Sequence, residues 1–166
     1  MSWHSFRRLP GASSVSPSHR IFVQQQDFDP GVEEQQLRAI GASVGASVAF
    51  TGYVRDHHAG SAVRGMTLEH YPGMTEKSIA TICDTAAGRW PLQAISVIHR
   101  VGHLLPGERI VYVGVASAHR QAAFEAAEFI MDYLKTRAPF WKKERLDQGE
   151  RWVEARTSDD EAARRW

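Results

Sequence analysis

"DYLKTRAPFWKKE", residues 132–144, decides how the last third of the chain folds. Phe124, Ala127, Met131 and Leu134 lead into it as an apolar stripe at helical spacing, so a helix is expected from about Ser117 to Arg137. Pro139 stops it, because proline lacks the backbone N–H and keeps the residue before it out of helical conformation. Phe140 and Trp141 then carry Lys142 on an extended segment able to fold back over Lys135. Lys135, Arg137, Lys142, Lys143 and Arg145 crowd a stretch that holds little acid. Two readings are open: a solvated turn, or a pocket for a small anionic ring compound. In the second, flat aromatics suit a heterocycle. Neighbouring ammonium groups also disfavour one another's protonation, which brings a lysine toward acid–base or nucleophilic use.

Upstream, strands and helices mix. "IFVQQQ" (21–26) reads as a strand, and "DPGVEEQQLRAI" as a helix capped by Asp29, with Pro30 in its first turn. "ASVAFTGYVR" (46–55) alternates as a strand, "DHHAGSA" is a loop, and "VRGMTLEHY" (63–71) alternates again. Pro72-Gly73 turns into a helix over about 75–89 capped by Thr75. "AISVIHRVG" and "RIVYVGVAS" are strands joined through the Pro-Gly turn of "HLLPGE"; "ERWVEAR" is a last strand and "SDDEAARRW" a closing helix. Hairpins beside helical crossovers make the class α+β, in a single domain over residues 21–166. Residues 1–20, rich in serine, arginine and proline and free of acid, are expected to be a disordered extension.

Composition removes several function classes. The 20 basic and 19 acidic residues leave a formal charge of +1, which weighs against a protein built to coat nucleic acid. No apolar run approaches the roughly 20 residues of a membrane span. The single cysteine, Cys83, offers no disulfide framework, and its helical spacing with Ile79, Ile82 and Ala86 makes it a buried hydrophobe rather than a nucleophile. A cytoplasmic protein is the expectation.

The candidate chemistry gathers at a few residues. Ser117 suits a helix N-cap, yet His119 and Arg120 follow it in the first turn, where the helix dipole favours acids. They are either a tolerated exposed pair or, with the free N–H groups there, an anion site. Arg55 ends the strand at "TGYVRDHH" as a surface charge or a phosphate contact. Lys135 is either a partner for the helix C-terminus or a catalyst. His57, His58, His99 and His103 have no metal-ligand spacing, and no metal site is expected. Residues alone reach an α+β domain with an anionic-ligand pocket.

"FTGYVRDHH", "LEHYPGMTEKSI", "VIHRVGHLLPGE", "VGVASAHRQAAFEA", "FIMDYLKTRAPFWKKE" and "RWVEAR" resemble, in order, the family of molybdopterin synthase catalytic (large) subunits. The resemblance runs from about Ala46 to the C-terminus and does not include the first 20 residues. It implies an α/β hammerhead-type fold with an additional antiparallel sheet. It also implies a sulfurtransferase of molybdenum cofactor biosynthesis that converts cyclic pyranopterin monophosphate (precursor Z) into molybdopterin. Both dithiolene sulfurs would come from a thiocarboxylate on the C-terminal Gly-Gly of a small ubiquitin-like partner, so neither Cys83 nor a cofactor need supply them. The assembly implied is a homodimer at the centre of a heterotetramer. Lys135 of "LKTRAPF" and Lys142 of "FWKKE" match the family's catalytic lysines. Arg55, His119 and Arg120 match substrate-binding positions, and Lys143 and Glu144 adjoin Lys142. Tyr53 stands where the family pattern carries a lysine, which leaves a hydrogen bond or a stack but no charge. The rival reading is a non-catalytic anionic-ligand or RNA-binding module using residues 135–145.

Overall fold

The computed structural model describes residues 16–166. In chain order its elements begin with β1 (Ser18–Gln24), α1 (Pro30–Arg38), β2 (Ala46–Tyr53), β3 (His57–His58), β4 (Ser61–His70), α2 (Met74–Arg89) and β5 (Leu92–Arg100). They continue with β6 (Gly102–Leu104), β7 (Arg109–Ser117), α3 (Arg120–Arg137), β8 (Phe140–Leu146), β9 (Gly149–Val153) and α4 (Thr157–Ala163).

One sheet has the order β1-β5-β7-β2, with β1 parallel to β5 and the other pairs antiparallel. Side chains on β5 alternate between its faces. Ala94 and Ile98 pack on the side of Leu37 and Phe28, whereas Ile95 and Val97 join the main core with Ile79, Cys83, Ala126 and Ile130 of α2 and α3. Covering on both faces explains why β5 and β7 are buried along nearly their whole length. Gly114 permits the close approach of α1: a Cβ there would lie 2.6 Å from Leu37 Cδ1 and 2.7 Å from the Tyr112 hydroxyl. The second sheet, β3-β4-β8-β9 with β6 on β4, is wholly antiparallel. This is the expected α+β class with its added antiparallel sheet.

The local structure departs from the sequence reading at several points. Chain order begins earlier than expected: Ser18, His19 and Arg20 already pair with Ala94, Ile95 and Ser96 in the parallel ladder. The rest of the expected disordered extension, residues 1–15, lies outside the described residues. Asp29 caps α1 as expected, its carboxylate accepting from Gly31 N–H at 2.8 Å. The segment read as a loop at 56–62 is a tight hairpin, with Ala59 and Gly60 at positive φ in its turn.

Two expected caps do other work. Ser117 still belongs to β7; its hydroxyl donates to Pro91 O at 2.9 Å and accepts from His119 N–H at 3.2 Å, and α3 starts later, with His119 at its N-cap and no side-chain cap. Helix α2 starts at Met74, where Glu76 takes the N–H of Gly73 at 2.7 Å. Thr75 is fully buried; its hydroxyl accepts from Tyr71 N–H and donates to Pro139 O, both at 3.0 Å. It thereby ties the start of α2 to the exit of α3. Beyond Pro139 the chain does fold back, and it does so as β8, hydrogen-bonded to β4 on one side and β9 on the other.

Candidate active site

Where the first sheet meets the second, the end of α3 and the segment after β9 enclose a cavity of about 460 Å³. That volume suits a small heterocycle. Tyr53 and Arg55 reach it from the end of β2, Lys135 from the last turn of α3, and Lys142 and Glu144 from β8. Alternation along β8 explains which neighbours are excluded. Phe140, Lys142 and Glu144 line the cavity, whereas Lys143 does not. Its ammonium lies 3.0 Å from Glu150 and 5.3 Å over the Trp152 ring. His119 and Arg120 also stand apart. Arg120 and Lys135 are fifteen positions apart on one continuous helix, which is about 22 Å at 1.5 Å per residue. Within one chain they cannot share this cavity.

The two lysines are electrostatically distinct. Lys142 is half-buried, and its pKa is lowered first by that burial and then by the positive charge of Lys135, with Asp159 and Glu144 opposing. Lys135 is more open and lies 3.6 Å from Asp159. Glu144 is buried and already engaged: His58 Nδ1 is 2.7 Å from one oxygen, and Arg151 donates to the other at 3.0 and 3.1 Å. Arg151 pairs with its charge, and what reaches Lys142 is the smallest of the four influences on that lysine. Arg55 is exposed and makes no ion pair among the described residues. Cys83 is sealed in the core, where burial pushes its thiol up to about 12. A thiol held neutral in the core is not a sulfur donor.

Sequence reasoning did not single out His99, Phe50, Met131 or Arg156 as cavity residues. Arg156 could have been found, since it ends "RWVEAR". His99 looked like a weak metal candidate; only the fold shows it as a cavity wall.

The description "MoaE protein" matches residues 23–137, more than half of the chain. This chain belongs to the MoaE protein family. The matched segment contains Tyr53, Arg55, His119, Arg120 and Lys135. A molybdopterin synthase catalytic subunit of Pseudomonas aeruginosa is 60% identical over 146 residues, covering 88% of this chain and 97% of its own length. The molybdopterin biosynthesis MoaE protein from Burkholderia ambifaria has a TM-score of 0.77 at 50% identity, covering 89% of this chain and 97% of its own. A chain from a complex of subunits 1 and 2 of molybdopterin-converting factor of Helicobacter pylori, 20% identical, shares the fold with a TM-score of 0.66 over 83% of this chain and 91% of its own. As a MoaE-family chain it has a catalytic role in molybdenum cofactor biosynthesis.

Proposed function

We propose that this chain is the sulfur-transferring subunit of a molybdopterin synthase, acting on cyclic pyranopterin monophosphate with a thiocarboxylated, ubiquitin-like carrier. The observation that carries the reading is the convergence of Lys135 and Lys142 in one cavity, with Lys142 biased toward its neutral form. A lysine that gives up its proton readily can take one from a reacting group, or attack a carbon as the free amine. Lys135 beside it adds positive charge that attracts the thiocarboxylate and the phosphate. Arg55 at the mouth offers a planar donor fork for phosphate oxygens. Met131, Leu134 and Phe140 give the cavity an apolar side that limits water.

The carrier's Gly-Gly tail would enter toward Lys142, since glycine has no side chain to block a narrow passage. Phe140 lines the cavity and would flank the tail there; Trp141, the next residue on the strand, does not line it. His119 and Arg120 would serve the cavity of a second copy, which fits a homodimer with one carrier at each end. Tyr53 would offer a hydroxyl or a ring face at the rim. The chemistry calls for no resident metal or cofactor, and a cytoplasmic setting belongs to the same proposal. No helix among the described residues is long and apolar enough to cross a membrane.

The test is reconstitution: the chain, thiocarboxylated carrier and precursor Z, with dithiolene formation as the readout. Product is expected in two sulfur-consuming rounds, and a carrier extended by one bulky residue after Gly-Gly should give none. Absence of product with a competent carrier would overturn the proposal, and tight, steeply salt-dependent RNA binding without turnover would favour a binding module instead.

A further inference from the structure

His99 reaches the cavity from β5 and is itself buried. Its Nδ1 lies 2.9 Å from the carbonyl oxygen of Arg100. A carbonyl only accepts, so Nδ1 carries the proton and, in the neutral ring, Nε2 carries the lone pair. The ring also stacks on Phe140, with centroids 3.8 Å apart and planes inclined by 17°. One hydrogen bond and one aromatic face therefore fix its tautomer and its orientation.

Nε2 is left over. It has no hydrogen-bond partner among the described residues, yet it is not one of their sealed, unpartnered side-chain atoms, which are His19 Nε2, Gln93 Oε1 and the Tyr112 hydroxyl. The space that His99 lines is the cavity, which is where a ligand would meet the ring. Burial, with Lys142 and His70 adding to it, pushes the imidazole down to about 3, so the ring stays neutral and Nε2 stays an acceptor. Arg55 and Arg156 only donate, and Lys135 and Lys142 do so whenever they are protonated. Glu144 is held by His58 and Arg151, and Asp159 faces Lys135. The lining also holds Glu154 and the Tyr53 hydroxyl, but both are exposed, whereas His99 offers its acceptor from a buried position.

A pterin brings the matching need, because its ring and exocyclic N–H groups lose water on entry and cost free energy if left unpaired. Resting on the reading of this cavity as the pterin site, we propose that His99 is a substrate-binding residue whose Nε2 accepts a hydrogen bond from an N–H of the heterocycle. That bond selects which edge of the ring system faces inward, and so which carbons face Lys135 and Lys142. Pockets built around such a bond reject analogues lacking the donor far more strongly than apolar pockets reject a missing methylene.

The experiment uses the full chain labelled with ¹⁵N-histidine and titrated with cyclic pyranopterin monophosphate in the absence of carrier. The Nε2 resonance of His99 should move on saturation while that of exposed His57 stays in place. In turnover assays with the carrier, His99→Phe keeps a stacking ring and removes the acceptor. It should raise KM for the pterin about tenfold or more, with a smaller change in kcat. His99→Gln, which returns an amide near the position of Nε2, should recover part of that loss. An N-methylated pterin lacking the donor should bind the wild type more weakly than the parent compound, while His99→Phe should not distinguish the two. Wild-type protein that binds the pterin with an unmoved Nε2 resonance overturns this inference alone. Wild-type protein that binds no pterin overturns the reading of the cavity as well.

Discussion

Helix α3 carries cations at both ends, and the two ends are not alike. At its C-terminus Lys135 sits where unpaired carbonyls favour positive charge, faces Asp159 and lines the cavity. At its N-terminus His119 and Arg120 are exposed, with no acid in the first turn and no side-chain cap. The guanidinium of Arg120 opposes the helix dipole. Lys135 is accounted for by its own chain, whether or not it is a catalyst. Among the described residues the side chains of the pair at the other end have no hydrogen-bond or ion-pair partner, which is where the proposed anion from another molecule would meet them.

The contrast breaks or sharpens under three changes. The largest effect is expected at the cavity end: Lys135→Ala and Lys142→Ala should each lower turnover by about 100-fold or more. For Lys135→Ala the melting temperature should barely move, because a cation at a helix end contributes only about 0.3–1 kcal/mol. Single-turnover dithiolene formation beside thermal melting checks this; normal activity with slight destabilisation would reduce Lys135 to a dipole partner. At the other end, Arg120→Glu should act with opposite signs on stability and activity. It should stabilise α3 by about 0.3–1 kcal/mol in denaturant melts. It should also cut turnover about tenfold or more through lost charge-assisted bonds to the anion. In the proposed homodimer, mixing Arg120→Glu and Lys135→Ala chains should restore activity, since one cavity would then hold both native residues; mixtures as inactive as their parents would place the two ends in separate tasks.

The smallest effect is a titration. Lys142 should lose its proton below the ordinary lysine value of 10.5, read from the ¹³Cε resonance. Lys135→Gln should move that midpoint up but not fully back, because burial is the larger cause; Asp159→Asn should move it further down. The sign for stability follows. Between the lowered folded value and 10.5 the unfolded chain holds more protons, so the contribution of Lys142 to stability rises with pH across that window. A Lys142 titrating at 10.5 in the wild type would mean that it sits in open solvent.

Much of the cavity end was legible because its causes are local. Pro139 stops a helix wherever it stands, and the extended residues after it had few directions to take. The oddity of His119 and Arg120 was legible too, as a broken electrostatic rule. Neighbours distant in sequence were not. Nothing within "PFWKKE" says that it pairs with β4, some 70 residues upstream, and that pairing decides that Lys142 faces the cavity while Lys143 faces Glu150. Thr75 has cap chemistry, but its hydroxyl is claimed by Pro139 O across 64 residues. Ser117 reads as a cap until β7 is seen to run through it. His99 acquires meaning only from Phe140, which stacks on it from another sheet.

The pairing of β4 with β8 also sets an order of events during synthesis. At about 5–20 residues per second, β4 leaves the ribosome roughly 4–14 s before β8 can join it. The first sheet is complete once β7 has emerged, so it can form while the chain is still growing. Until β8 arrives, β4 can pair only with the short strands β3 and β6, leaving much of its edge without partners. That edge is the part of the nascent chain most open to wrong pairing. A stalled or truncated product ending near Arg137 would therefore hold α1, α2, α3 and the first sheet, yet lack α4, Lys142 and nearly half of the cavity's walls. The site is the last thing this chain builds.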